Sequence, residues 1–170
     1  MTISLKSAQT INIQAICDLV NLAYRGEKGW TRETDLVAGD RCDLVEIQQL
    51  LNNPNSHLLV AFEQDKLIAC INLEHQQECV YIGLFSVEPN LQAMGVGREV
   101  LSLAEDYALH KLNAHRCLMV VVSQRPELIA YYERRGYQRT GQLEPYPDHL
   151  NVGSPLEKNL MIETLQKWLT

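Results

Sequence analysis

The densest chemistry lies where an apolar run ending at Val87 and Glu88-Pro89-Asn90 gives way to Gln92-Ala93-Met94-Gly95-Val96-Gly97-Arg98. Two glycines one residue apart open an amphipathic helix there. Glycine lets backbone approach a ligand closely and take up positive φ. The first turn of a helix leaves N–H groups without intrahelical acceptors at the positive end of the helix dipole, which suits a phosphate or pyrophosphate. A tight strand-to-helix connection with no ligand accounts for the two glycines equally well. Two phosphate motifs fail outright. A dinucleotide fingerprint starting at Gly95 needs Gly or Ala at position 100, where Val100 stands, and no Gly-Lys-Ser/Thr triplet follows either glycine. What survives is Gln-x-x-Gly-x-Gly, from Gln92 to Gly97.

A second block, Ala130-Tyr131-Tyr132-Glu133-Arg134-Arg135-Gly136-Tyr137, follows on a later helix. Together the two blocks resemble the GNAT family of N-acetyltransferases. Its acetyl-CoA signature is Arg/Gln-x-x-Gly-x-Gly/Ala between a central strand and a helix, and a later stretch carries Tyr-Glu-x-x-Gly-Phe/Tyr. The specific motifs span Tyr81–Tyr137, and the order of elements is similar along nearly the whole chain.

The resemblance implies that Gln92, Ala93, Met94, Gly95, Val96, Gly97 and Arg98 hold the CoA pyrophosphate through backbone amides. It implies that Phe85, Ser86 and Val87 form the edge that pairs with the pantetheine arm and the thioester. It also places the family's tyrosine at Tyr132. A phenol suits that place because CoA leaves as a thiolate, which a positioned hydroxyl can stabilise and protonate. Tyr131 lies roughly 100° around the helix, and a core role for Tyr132 with its hydroxyl satisfied is the competing reading.

The sequence departs from the family pattern in two places. The Asn often found seven residues before the tyrosine is replaced by Arg125, which either reaches a phosphate or faces solvent. No spacing singles out a general base among Glu33, Glu74, Glu78 and Glu88. In Gly29-Trp30-Thr31-Arg32-Glu33, Trp30 and Glu33 are candidates for recognising a cationic or aromatic acceptor, with an ordinary solvated loop as the alternative.

Strands and helices must position these blocks. Ile11, Ile16, Leu19, Val20 and Ala23 recur at helical spacing after a short expected strand at Thr2–Lys6. A helix is expected at Leu44–Leu51. Strands follow at His57–Phe62, Leu67–Leu73 and Val80–Val87, the first two joined by a turn at Glu63-Gln64-Asp65-Lys66. Val96, Val100, Leu103 and Tyr107 stripe the next helix. Cys117–Val122 reads as a strand buried on both faces. Pro126 starts a helix that Gly136 stops, and Tyr137–Leu143 and Leu160–Leu165 read as closing strands. The expectation is an α+β fold, with a mixed, mostly antiparallel central sheet flanked by helices, as the resemblance also implies.

At 170 residues the chain is expected to form a single domain, residues 1–170. Its 21 acidic and 15 basic side chains, net −6, argue against nucleic acid as the main partner. No apolar stretch approaches the ~20 residues a membrane span needs. The first 20 residues lack the pattern of a signal peptide, so a cytoplasmic protein is expected. Five widely spaced cysteines without a CxxC pair, and five histidines without ligand spacing, give no support for disulfides or a metal. The resemblance implies direct acetyl transfer from acetyl-CoA to a primary amine in a ternary complex, by a monomer or homodimer. A non-catalytic acyl-CoA-binding regulatory module and a ligand-free interaction domain remain the alternatives. The fold does not choose the amine.

Overall fold

The computed structural model describes residues 2–26, 33, 36–147, 149–150 and 152–170. The first amphipathic stretch forms helix α1, Ile13–Arg25, whose buried stripe is Ile16, Cys17, Leu19, Val20 and Ala23. Before it, the expected N-terminal strand pairs only at β1, Lys6–Ser7, opposite Val60 and Leu59. The next helix is α2, Leu44–Asn52, whose N-terminus is capped by the Asp43 carboxylate accepting from the Glu46 N–H at 2.8 Å.

Three long strands follow as an antiparallel meander: β3, Ser56–Glu63; β4, Lys66–Gln76; and β5, Cys79–Val87. The chain then crosses over one face as α3, Val96–Lys111, and returns as β6, Arg116–Val122. Because β6 runs parallel to β5, a hairpin cannot join them, and the helix is the crossover that parallel pairing demands. Helix α4, Pro126–Glu133, then leads to β7, Gln138–Pro145, and β9, Met161–Trp168, completes the sheet. The strand order is β1-β3-β4-β5-β6-β9-β7, antiparallel at every junction except β5/β6. A separate two-residue pair, β2 (Val37–Ala38) with β8 (Ser154–Pro155), is too short to leave a periodic signal in sequence.

Two helical layers cover the sheet. Ile16, Leu19, Val20 and Ile47 pack with Leu58, Val60 and Leu84 on one face. Val96, Val100, Leu101, Ala104 and Ile129 pack with Ile71, Val80, Ile82 and Val87 on the other.

The expectation that Cys117–Val122 is buried on both faces holds at every position but Val120. Cys117, Met119 and Val121 are buried beneath α3 and α4, but Val120, pointing the other way, is 52% exposed. Leu118 and Val122, on the same face as Val120, are 7% and 3% exposed, and Val122 packs with Val37 and Leu160, so the opening is confined to one position. The asymmetry is testable: Leu165→Ala, at a fully buried position on β9, should cost about 2–5 kcal/mol. Val120→Ala should stay within about 0.5 kcal/mol. Urea unfolding of both variants decides, and equal losses would contradict the exposure of Val120.

Candidate active site

β5 and β6 pair over three positions only, Cys79↔Arg116, Val80↔Cys117 and Tyr81↔Leu118, and then separate. β5 runs on to Val87 and β6 to Val122, so a gap opens in the sheet. Two features of β5 shape its wall. Opposite β4 the register jumps from Asn72↔Gly83 to Cys70↔Ser86, and Leu84 takes φ +51°. Two residues of β5 thus face one of β4, which is a β-bulge. The bulge reverses which face the later side chains occupy. Val80 and Ile82 join the core under α3, yet Leu84 joins the core under α1, and Val87 returns to the α3 side with Phe85 beside it. The Leu84 carbonyl accepts from the Ser86 hydroxyl at 3.1 Å and the Cys70 thiol at 3.4 Å, so the displaced carbonyl is satisfied locally.

Beyond Val87 a single 3-10 turn, Pro89–Leu91, carries the chain to Gln92, whose amide donates back to the Val87 carbonyl at 3.3 Å. Gly95 caps α3 at φ +87°, a conformation that disfavours any side chain. The first intrahelical bond runs from the Glu99 N–H to the Gly95 carbonyl. The N–H groups of the first turn, Gly95 to Arg98, therefore have no intrahelical acceptor and lie at the positive end of the helix dipole. Gly97 has a different reason to be glycine. A Cβ there would sit 3.3 Å from the Tyr131 hydroxyl, 3.7 Å from Val87 and 3.8 Å from Phe85. It would occupy the space where β5, α3 and α4 converge.

That space is a cavity of about 420 Å³. Of the expected cofactor residues, Phe85, Val87, Gln92, Ala93, Gly95, Gly97 and Arg98 line it. Three others face elsewhere: Ser86 is buried and Val96 sits in the α3 core, whereas Met94 is 67% exposed. Their side chains do not meet the cavity. From α4 come Leu128, Tyr131 and Tyr132, followed by Arg134 and Arg135, and from α1 come Ala23 and Tyr24. Arg125, immediately before α4, is 3% exposed and lines the same cavity, with its Nε donating to Glu127 at 3.1 Å. The solvent-facing reading of Arg125 is thereby removed.

Tyr132 is packed edge-on against Tyr131 and Tyr137, with ring centroids 5.3 and 5.9 Å away. Burial pushes its phenol above the ordinary range, and the nearby hydroxyls of Tyr24 and Tyr131 add to the shift. Tyr24 is pushed up to about 12, again by burial first. Both phenols are therefore protonated at neutral pH. Tyr131 proves to be a wall residue of the same cavity despite its different helical angle, with the Arg135 guanidinium 3.9 Å over its ring.

Glu33 also lines the cavity, 9% exposed. Arg25 Nη1 donates to its carboxylate at 2.7 Å, and the same guanidinium reaches the carbonyls of Gly39 and Val152 and the Tyr146 hydroxyl. Glu33 thus enters the site as half of a compensated pair that ties the end of α1 to the segments around it. Trp30, expected beside it, lies outside the described residues.

Tyr24, Leu128, Arg134 and Arg135 were not legible as site residues. The adjacent arginines after Tyr132 were the available signal. Among the described residues there is no grouping of three His, Cys, Asp or Glu side chains that could hold a metal, and no helix long and apolar enough to cross a membrane.

The acetyltransferase (GNAT) family model matches residues 13–137, which span the meander, the glycine turn and α4. The chain belongs to the GNAT acetyltransferase family. Family membership supports an acetyl-CoA-dependent N-acetyltransferase, and no curated protein matches the sequence significantly. The fold is shared with the spermidine N-acetyltransferase of Vibrio cholerae, solved with CoA and spermine (18% identity, TM-score 0.72, covering 98% of this chain and 95% of that one). It is shared with the ribosomal-protein alanine N-acetyltransferase of Escherichia coli (15%, 0.71, 99% and 95%). The smu.2055 protein of Streptococcus mutans (17%, 0.74, 100% of both chains) has it too. At these identities the likeness is one of fold.

The cavity fits the cofactor that the family implies: a glycine whose Cβ would fill it, a helix N-terminus facing it, and arginines around it. Gly97→Val should therefore weaken CoA binding by about tenfold or more, the cost of losing a close backbone approach and its hydrogen bonds. Calorimetry showing unchanged affinity would remove the turn from cofactor binding.

Proposed function

We propose that the chain, as one catalytic domain, transfers the acetyl group of acetyl-CoA directly to a primary amine within a ternary complex. The observation that carries this reading is the convergence of the Gln92–Arg98 turn, the bulged end of β5 and Tyr132 on one cavity. Bound acetyl-CoA supplies an activated acyl carbonyl and a thiol leaving group.

The chain's own groups do the rest. Backbone N–H groups at Gly95–Arg98 hold the pyrophosphate, with the α3 dipole behind them, whereas those of Gln92 and Met94 already donate to the Pro89 and Leu91 carbonyls. The unpaired edge of β5 at Phe85–Val87 aligns the pantetheine arm and polarises the carbonyl, so orientation and preorganised dipoles lower the barrier. Tyr132 donates its hydroxyl hydrogen to the departing sulfur. Its raised pKa guarantees the proton, and the surroundings that disfavour a phenolate disfavour a thiolate in the same cavity, so the transfer is not penalised by burial.

The acceptor is proposed to approach from the side of Tyr24 and Glu33, with Trp30 as a further recognition candidate. The Arg25–Glu33 pair leaves that side close to neutral, which suits an amine that must be deprotonated to attack. A primary amine is protonated at neutral pH, so kcat/KM is expected to rise with pH towards the acceptor's own pKa. No cysteine lines the cavity among the described residues, in keeping with direct transfer.

Tyr132→Phe should lower turnover about 10²-fold, a general-acid magnitude, with acetyl-CoA affinity nearly retained. Turnover read by thiol release across an amine and peptide panel tests this, and an undiminished rate would remove Tyr132 from the reaction. The pH profile offers a second check. Because the phenol stays protonated, the wild-type kcat should show no falling limb up to about pH 10. A falling limb near neutrality that Tyr132→Phe abolishes would keep Tyr132 as the acid but contradict the upward shift of its phenol.

A further inference from the structure

Arg25 ends α1, yet its side chain is only 7% exposed. Its Nη1 donates to Glu33 at 2.7 Å and its Nε to the Gly39 carbonyl at 3.1 Å, both on the connection from α1 to α2. Its Nη2 donates to the Tyr146 hydroxyl at 3.1 Å and to the Val152 carbonyl, both on the connection from β7 to β9. The β2/β8 pair joins the same two connections. Beside it Gly153 takes φ +104°, and a Cβ there would fall 3.0 Å from Arg25 Nη2. Hydrogen bonds on every side and enclosing backbone thus fix the guanidinium against Glu33.

Glu33 is held as firmly. Its N–H donates to the Tyr24 carbonyl at 2.7 Å, and its carbonyl accepts from the Leu36 and Val37 amides at 2.9 Å. Among the described residues it is the one acidic side chain lining the cavity, where the other charged groups are arginines. Its carboxylate is therefore neutralised before any acceptor arrives.

A charge that leaves water needs a partner inside the protein to offset its desolvation. The reacting amine attacks in its neutral form and needs none. A second ammonium on the acceptor does need one, and Glu33 is already paired while the arginines of the cavity repel it. Removing one member of a buried pair leaves the other uncompensated, which favours a replacement counter-charge. We propose that Arg25 determines acceptor specificity: by neutralising Glu33 it selects primary amines that carry no second positive charge over diamines and polyamines. The inference rests on the acetyltransferase reading above and adds to it the charge class of the acceptor and the residue that sets it.

Thiol release with two matched pairs of amines tests this: hexylamine against hexamethylenediamine, and benzylamine against p-xylylenediamine. The wild type is expected to favour each monoamine about tenfold or more in kcat/KM. Arg25→Gln frees the Glu33 carboxylate and should move that ratio about tenfold or more towards the diamines. Adding Glu33→Gln should abolish the shift, a dependence that a merely structural role for Arg25 would not produce. Glu33→Gln alone leaves the guanidinium its partners at Gly39, Tyr146 and Val152. It should lower kcat/KM for the diamines more than for the monoamines. If Arg25→Gln loses acetyl-CoA affinity by calorimetry, Glu33→Gln carries the test.

Wild-type preference for the diamines, parity within each pair, or turnover of peptides alone would overturn the proposal and leave the acetyltransferase reading standing. A ratio unmoved in Glu33→Gln, or in an Arg25→Gln variant that still binds acetyl-CoA, would overturn it as well. So would a shift that persists once Glu33 is replaced. If no amine or peptide elicits thiol release, the acetyltransferase reading itself falls, and the proposal with it.

Discussion

The structure depends on one interrupted pairing. β5 and β6 are hydrogen-bonded parallel strands at their starts and are apart at their ends. Backbone N–H and C=O groups inside a protein must find partners, so a sheet that opens in its middle leaves edges that a ligand's own amides can complete. Each neighbouring element is arranged around that opening. The parallel direction forces α3 to cross over, which delivers its N-terminus to the gap. The bulge at Leu84 turns Phe85 and Val87 toward the same space. Gly97 keeps that space open, and Tyr131 and Tyr132 close it from α4. The glycine turn, the free strand edge and the phenol are brought together by a single topological event.

Electrostatics follow the same geometry. A net charge of −6 repels a polyanion at long range, and the site compensates locally. The helix dipole and first-turn amides act at contact distance, where screening by salt is weak, and the arginines of α3 and α4 concentrate positive charge at the mouth. On the opposite side Glu33 is balanced by Arg25 within 2.7 Å. The cavity is thus cationic towards α3 and α4 and close to neutral towards α1, a polarity that suits a ligand with one charged and one neutral end. Burial also keeps the Tyr132 phenol protonated without any partner dedicated to that purpose.

The sequence made much of this legible. The glycine turn, the strand before it, the crossover helix and the tyrosine block were all readable, because hydrophobic periodicity and the conformational demands of glycine act locally. What escaped it is non-local. Period-2 alternation places Leu84 with Val80 and Ile82, whereas the bulge moves it to the other face; no residue in Ile82-Gly83-Leu84-Phe85 announces the change. The length over which β5 and β6 stay paired depends on the whole sheet. Arg125 sits where the family often has Asn, and only burial shows that it faces inward. Tyr24 joined the site through the packing of α1 across β4 and β5, an association between elements far apart in the chain. Val120 shows the converse: strong local apolarity at a position that packing leaves open.

The most direct test of the account is amide hydrogen exchange, followed residue by residue with and without CoA. If the opened strand pair and the α3 N-terminus form the cofactor site, CoA should slow exchange at Phe85–Val87 and at Gly95–Arg98. The amides of β7, on the far edge of the sheet, should be unchanged. Saturating CoA that leaves the Gly95–Arg98 amides unprotected, while protecting another part of the chain, would contradict the account at its centre.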